Sequence, residues 1–222
     1  LKTFSIGMPG SIDLKYAKEV ANFIGTDHCQ IEISETSFLQ AIETVIYNIE
    51  SYDTTTVRAS VGNYLVSKYI RDNSDCKVIF NGDGSDEVCG GYIYMKNAPS
   101  GSDFQQECER LVSEIHRFDV LRSDRSISSN GLEARTPFLD KEFVSYYLSI
   151  NPEEKTFNKN KRIEKYLLRK AFADMNILPE SILWRRKCAF SDGVSSREKS
   201  WHVVLKNFID KQISDIEFKT ES

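Results

Sequence analysis

The segment Val78-Ile79-Phe80-Asn81-Gly82-Asp83-Gly84-Ser85-Asp86-Glu87 joins a short apolar run to a loop of glycines and carboxylates. The apolar residues predict a short buried strand, and the glycines predict that the strand ends at once in a tight loop. Ligands of open α/β sheets bind at the carboxyl ends of strands, where glycines let backbone N–H groups approach a phosphate. Carboxylates at that place can bind Mg²⁺ or transfer a proton. A solvated acidic turn is the other interpretation of the same residues.

Strand and helix patterns alternate in the first part of the chain. Strands are expected at 2–8, 29–33 and 77–80, with helices between them that carry apolar residues on one face. Asp13 is expected to cap the first helix and Gly25 to end it. This alternation predicts an α/β fold with a parallel, twisted sheet and flanking helices.

After Pro99 the strand signal fades and the chain is expected to be largely helical. Helical patterns occur at 104–118, 141–149, 162–175 and 199–211. We therefore place a boundary near 99–102, which divides the chain into an α/β part, residues 1–99, and a helical part, residues 100–222.

Composition and charge exclude several classes of protein. The chain has 222 residues, of which 40% are hydrophobic, and its net charge is −4, so no basic face indicates nucleic-acid binding. No run approaches the roughly 18 apolar residues that cross a bilayer. The five cysteines are widely spaced without a Cys-x-x-Cys pair, and with three scattered histidines they favour reduced thiols over disulfides or a zinc site. These features favour a cytoplasmic protein without a membrane partner.

Four motifs in a fixed order carry a resemblance to a known family. They are Glu50-Ser51-Tyr52-Asp53-Thr54-Thr55-Thr56-Val57-Arg58-Ala59-Ser60, then Asn81-Gly82-Asp83-Gly84-Ser85-Asp86-Glu87 followed by Gly90-Gly91-Tyr92, then Gly131-Leu132-Glu133-Ala134-Arg135-Thr136-Pro137-Phe138-Leu139-Asp140, and Trp184-Arg185-Arg186-Lys187-Cys188-Ala189-Phe190-Ser191-Asp192-Gly193-Val194. In this order they resemble the synthetase domain of the glutamine-hydrolysing asparagine synthetases, over nearly all of residues 1–210. The amino-acid sequences of these motifs resemble the animal enzymes more closely than the bacterial ones.

The resemblance implies an ATP-pyrophosphatase fold of the adenine-nucleotide α-hydrolase type. It implies that ATP, with Mg²⁺, adenylates the β-carboxylate of aspartate, and that ammonia then displaces AMP to give asparagine. In this family the ammonia comes from glutamine through a separate N-terminal glutaminase domain. The expected partners are therefore aspartate, ATP, ammonia, that glutaminase domain and a second copy in a homodimer.

The start of the chain indicates a piece of a longer protein. A strand pattern follows Leu1 almost immediately, and the family's pyrophosphate-binding Ser-Gly-Gly-x-Asp-Ser loop would lie just upstream. Since that loop stabilises the leaving group, we expect these 222 residues alone to make no asparagine.

The resemblance places three residues at the nucleotide. Ile6 matches a strand-end position that contacts adenine, although a core strand residue is an equally open interpretation and is compatible with the first. Asn81 and Gly82 match a Ser-Gly pair that contacts ATP. Because Asn is bulkier than Ser, a backbone contact is expected to persist more easily than a side-chain contact.

Three further residues are implied in catalysis and metal binding. Asp83 matches a glutamate that handles the aspartyl-AMP intermediate and the proton of ammonia, and its carboxyl reaches about 1.3 Å less far. Asp86 matches a carboxylate that faces Mg²⁺–pyrophosphate, and its spacing does not fit a calcium loop. Lys187 matches a lysine that contacts the phosphates during adenylation, with a surface lysine in a basic run as the alternative.

The remaining matched positions are implied in handling aspartate and pyrophosphate. Thr55, Thr56 and Arg58 form one group, for which a helix-capping threonine and a structural ion pair are the alternatives. Tyr92 and Asp119 form another, which either contacts ligand or shapes the pocket.

Two functions from different classes remain open at this stage. One is an ATP-dependent amide ligase, and the other is a protein that has lost catalysis and acts through binding or regulation, with Asn81 and Asp83 as early marks of decay. The residues that precede Leu1 would discriminate between them, because an intact glycine-rich loop is needed only by the ligase. A lactam-forming relative is disfavoured by the animal-like motifs.

Overall fold

The computed structural model describes residues 1–157, 162–196 and 199–213, and its strands form two separate parallel pairs. β1 (Lys2–Gly7) pairs with β2 (Asp27–Glu32), and β3 (Val78–Phe80) pairs with β4 (Glu133–Arg135). The α/β class with parallel strands is therefore confirmed. The single sheet that the sequence predicts is not found in the described ranges, because no ladder of backbone hydrogen bonds joins one pair to the other.

Helices make up most of the remaining described chain. Those predicted at 104–118, 141–149, 162–175 and 199–211 correspond to helices at Gly101–Glu114, Lys141–Ser149, Tyr166–Ala173 and Trp201–Gln212, and only the second has the predicted bounds. No described helix is both long and apolar enough to cross a membrane. The helices are α1 (Ile12–Ile24), α2 (Glu35–Gln40), α3 (Ile42–Ile49), α4 (Thr54–Asn73), α5 (Ser85–Cys89), α6 (Gly101–Glu114), α7 (Asp119–Ser128), α8 (Lys141–Ser149), α9 (Pro152–Lys155), α10 (Tyr166–Ala173), α11 (Glu180–Leu183), α12 (Phe190–Gly193) and α13 (Trp201–Gln212).

Ser11, rather than Asp13, caps the first helix. The Ser11 hydroxyl accepts a hydrogen bond from the Leu14 N–H at 3.3 Å, as an N-cap must. The predicted cap at Asp13 is wrong, because this residue already lies in the first turn and its carboxylate pairs with Arg185 at 2.7 Å. The predicted end is confirmed, since Gly25 adopts the left-handed conformation with φ 69°.

The largest core cluster joins the two parts of the chain. Trp201 of α13 is fully buried and meets Phe38 edge-on, with ring centres 5.4 Å apart. Ile6 of β1 and Val61 of α4 belong to the same cluster. The indole N–H of Trp201 donates to the carbonyl of Arg58 at 3.1 Å. A helix from the helical part therefore completes the core of the α/β part, and the division near 99–102 stays a prediction.

One face of the strand β3 is partly buried. Ile79 packs with Ile70 of α4 and Ile127 of α7, whereas Val78 is 45% exposed and Phe80 is 72% exposed. Successive side chains of a strand point to opposite faces, so the helices cover only Ile79. The predicted burial of this strand is wrong for Val78 and Phe80 within the part of the chain that the structure describes.

The loop after β3 turns sharply into α5. The Asn81 N–H donates to the Arg135 carbonyl at 3.0 Å, which extends the pairing with β4 into the loop. Gly84 has φ 88°, and a side chain there would collide with Leu139. Glycine is therefore required at this turn. The turn places Asp83 just before α5 and Asp86 in the first turn of α5.

Candidate active site

Asp86 lies between two lysines that come from distant parts of the chain. One carboxylate oxygen pairs with the Lys165 ammonium at 2.8 Å, and the other pairs with the Lys187 ammonium. All three side chains are largely buried. Burial works to raise the pKa of Asp86, but the two lysines outweigh it and hold that pKa below its ordinary value. The carboxylate therefore stays ionised and holds both ammonium groups in fixed positions.

Asp83 has the opposite electrostatic environment. Burial raises its pKa above the ordinary value, and the charges of Asp119 and Asp86 add to this effect. A hydrogen bond from Ser123 and the charge of Arg122 work against it without cancelling it. A carboxylate with a raised pKa is a better proton acceptor near neutral pH, as a general base requires.

The side chain of Asn81 makes two hydrogen bonds that hold the loop after β3. Its amide oxygen accepts a hydrogen bond from the Asp83 N–H at 3.1 Å, and its amide nitrogen donates to the Ser123 hydroxyl at 3.0 Å. The side chain thus ties the loop to α7. Gly82 is exposed, and a Cβ placed on it would meet no atom within 4 Å. The open space beside Gly82 leaves its backbone accessible to a ligand.

Tyr92 connects two buried carboxyl groups. Its hydroxyl lies 2.5 Å from a carboxyl oxygen of Glu87 and 2.9 Å from one of Asp119. Glu87 is 1% exposed, and burial together with Asp119 raises its pKa to about 7. The Asp119 carboxylate also pairs with Arg122. The Lys187 ammonium lies 4.8 Å from the centre of the Tyr92 ring, within the range of a cation–π contact.

The protonation of Glu87 predicts a pH-dependent stability. Its pKa rises from 4.5 to about 7 on folding, so the folded state binds the proton more tightly than the unfolded state. The stabilisation is therefore complete below pH 4.5 and is lost as the pH rises toward 7. Glu87→Gln keeps a neutral side chain of the same size, so its free energy of unfolding should vary less with pH in this window. Urea titrations at several pH values measure this, and an unchanged pH dependence would show that Glu87 is ionised in the folded protein.

The segment before α10 contributes two residues that sequence reasoning missed. Lys165 pairs with Asp86 and has a left-handed backbone with φ 56°, which is rare for a residue other than glycine. Glu164 is buried, and one of its carboxylate oxygens accepts the Lys187 N–H at 2.7 Å. The two residues form an ordinary charged pair in the sequence, which carries no signal that could have singled them out.

The other predicted site residues lie on β1 and α4 rather than on the loop after β3. Ile6 is buried in the main core. Thr55 is exposed, whereas the Thr56 hydroxyl and N–H both donate to Asp53, the N-cap of α4, at 2.8 Å. The Nε of Arg58 is buried and has no hydrogen-bond partner among the described residues. No hydrogen bond or ion pair within the described ranges joins these residues to Asp86.

The described residues do not form a metal site by themselves. They contain no group of three or more His, Cys, Asp and Glu placed to hold a metal ion. Both oxygens of Asp86 already hold ammonium groups. The donor set therefore does not fit a resident Mg²⁺, and the metal-binding role of Asp86 stays a prediction that concerns only an ion brought by a phosphate ligand.

The charge of Asp86 acts on Asp83, and Asp86 itself holds two largely buried ammonium groups. The arrangement can therefore accept a proton and bind an anionic group. The chain belongs to the asparagine synthase family, whose model matches residues 1–105 and 96–222. The family resemblance of the four motifs is thereby confirmed.

Proteins named asparagine synthetase [glutamine-hydrolyzing] are similar over nearly the whole chain. The protein from Gallus gallus is 53% identical over 216 residues, which is 97% of this chain and 38% of the relative. The proteins from Mus musculus and Homo sapiens are 52% and 51% identical over 215 residues, with the same coverage. The chain thus spans 38% of the length of these curated relatives.

Proposed function

We propose that this chain is the synthetase part of an enzyme that converts aspartate to asparagine at the expense of ATP. The observation that carries the proposal is the group formed by Asp83, Asp86, Lys165 and Lys187, hereafter the Asp86 cluster, in a chain of this family. Ammonia would come from glutamine through a glutaminase domain outside these residues. The ATP-pyrophosphatase fold, the homodimer and the cytoplasmic location are part of the proposal.

The two lysines stabilise the leaving pyrophosphate in the first step. An oxygen of the aspartate β-carboxylate attacks the α-phosphorus of ATP, a P–O bond forms, and the bond to pyrophosphate breaks with its electron pair on the leaving group. Negative charge grows on pyrophosphate, where the ammonium groups of Lys165 and Lys187 are most effective. Asp86 holds both groups in place before ATP arrives, so little reorganisation is needed at the moment of reaction.

Asp83 accepts a proton in the second step. The ammonia nitrogen attacks the carbonyl carbon of β-aspartyl-AMP, a C–N bond forms, and the C–O bond to AMP breaks. The nitrogen then releases a proton, and the raised pKa of Asp83 makes its carboxylate a suitable acceptor. The shorter side chain, relative to the family's glutamate, requires either a shifted backbone or one bridging water.

The binding residues complete the proposal. Ile6, Asn81 and Gly82 would bind the nucleotide, and the exposed backbone of Gly82 supports this assignment. Arg58 would bind a carboxylate of aspartate, because its buried Nε lacks a partner among the described residues. The other assigned residues, Thr55, Thr56, Tyr92 and Asp119, would orient aspartate and pyrophosphate.

Aspartate-dependent exchange of labelled pyrophosphate into ATP tests the proposal. The protein in its natural full length should catalyse exchange only when aspartate is present, because the exchange reverses the adenylation step. Ammonium salt should then yield asparagine and AMP without glutamine. Reactions without aspartate serve as the control. A protein that binds ATP but catalyses no exchange would instead favour the binding or regulatory function.

A further inference from the structure

A buried ion pair between Glu164 and Arg169 lies next to the Asp86 cluster, and the proposed function gives it no role. Glu164 is 3% exposed, and its carboxylate accepts a hydrogen bond from the Arg169 guanidinium at 2.9 Å. The same guanidinium donates to the Glu164 carbonyl at 2.8 Å and to the Leu183 carbonyl at 2.6 Å. Arg169 of α10 therefore fixes both the turn before its own helix and the end of α11.

The carboxylate of Glu164 also holds the backbone at Lys187. The oxygen that pairs with Arg169 accepts the Lys187 N–H at 2.7 Å. Residues 185–189 have no regular secondary structure, so no helix or sheet ladder sets the position of this backbone. The hydrogen bond from the Lys187 N–H to Glu164 instead holds the backbone from which the Lys187 side chain extends.

Both lysines of the cluster depend on the same short turn. Lys165 follows Glu164 directly, and its left-handed backbone directs its ammonium to Asp86 while the Glu164 carboxylate reaches Lys187. The lysine ammonium is a point charge at the end of a long, flexible side chain, so its position is defined only if the backbone of the residue is held in place. Displacements of about 1 Å in an active site can cost on the order of 10²-fold in rate.

We propose that Glu164 is a positioning residue, which places the Lys187 ammonium for charge stabilisation through the hydrogen bond between its carboxylate and the Lys187 N–H. The inference rests on the proposed function, because it needs the role given there to Lys187. Simple stabilisation is the weaker explanation, since burying an ion pair costs desolvation and often adds little net stability.

Two conservative variants separate the acceptor oxygen from the charge. Glu164→Gln keeps the length of the side chain and an oxygen that can accept the Lys187 N–H, but it loses the charge that pairs with Arg169. Glu164→Asp keeps the charge but retracts the oxygens by about 1.3 Å. In the full-length protein we expect Glu164→Asp to lower kcat by about 10–10²-fold with KM for ATP within about twofold. Glu164→Gln should lower Tm while kcat stays within about threefold of the wild type.

A double-mutant cycle shows whether Glu164 acts through Lys187. Once Lys187→Ala has removed the ammonium, adding Glu164→Asp should lower kcat by less than about threefold further. Asp13→Asn is the matched control, because Asp13 pairs with Arg185 at 2.7 Å and anchors the same segment without contacting the Lys187 N–H. It should change kcat far less than Glu164→Asp does.

Three results would overturn the inference. A loss of kcat in Glu164→Gln that equals or exceeds the loss in Glu164→Asp would show that keeping the acceptor oxygen in place does not preserve the rate. A full additional loss in the Lys187→Ala background would show that Glu164 acts independently. An equal loss in Asp13→Asn would show that the segment needs only general rigidity. Failure of the proposed function is visible separately, as absence of asparagine synthesis in the wild type or an unchanged kcat in Lys187→Ala.

Discussion

Replacing Asp83 by Asn should lower asparagine synthesis by about 10²–10⁴-fold, the usual contribution of a general base. Asparagine preserves the size and polarity of the side chain, so the hydrogen bond with Ser123 can persist and packing should change little. What is lost is the basic lone pair that accepts the proton of ammonia. Steady-state kinetics with ammonium salt as nitrogen donor measures the effect without involving glutamine hydrolysis.

The pH profile gives a second measure of the same residue. Burial raises the pKa of Asp83, and the base must be ionised to accept a proton. The rate should therefore fall on acidification at a pH above the ordinary range of an aspartate, and Asp83→Asn should remove this limb of the profile.

Asp83→Glu restores the residue found in the family at this position. A site that has decayed should gain activity, whereas a site adapted to the shorter carboxylate should be unchanged or lose activity through crowding. Full asparagine synthesis by Asp83→Asn would remove Asp83 from the mechanism.

Replacing Lys187 by Ala should lower kcat by about 10²–10³-fold, the usual cost of one lost charge-stabilising group. The ammonium lies on Asp86 and over the ring of Tyr92, where water is largely excluded, so solvent cannot replace its charge. ATP affinity should weaken much less, because Lys165 remains on Asp86 and because the charge develops mainly in the transition state.

Lys68→Ala provides the control for the loss of a lysine. Lys68 lies on the exposed side of α4 and pairs with Asp72 at 3.4 Å, so its removal should leave kcat unchanged. If ATP affinity collapsed in Lys187→Ala while kcat held, Lys187 would be a ground-state binding residue and the proposed role would be wrong.

Much of the local structure could be predicted because it depends on short-range chemistry. Gly25 ends α1, since glycine adopts a left-handed backbone without steric cost. The strand Val78–Phe80 follows from its apolar, partly β-branched residues. The neighbouring loop is also as predicted, because glycine is needed where φ is positive at Gly84.

Other elements could not be predicted, since their residues have no strong local preference. The strand Glu133–Arg135 is short and two of its three residues are charged, and it forms only because it pairs with β3. The exposure of Phe80 likewise depends on which face of β3 the helices cover, and no property of the residue itself indicates it.

The α/β class with parallel strands and the family followed from the sequence alone. The sequence also singled out Asp83, Asp86 and Lys187 of the Asp86 cluster, because each belongs to a motif of about ten residues. Packing decided which charges meet. Lys165 and Lys187 lie 79 and 101 positions from Asp86 along the chain, and Glu164 meets the backbone of Lys187 across 23 positions. Contacts at such separations form only when distant segments of the chain pack together, so local sequence patterns do not indicate them.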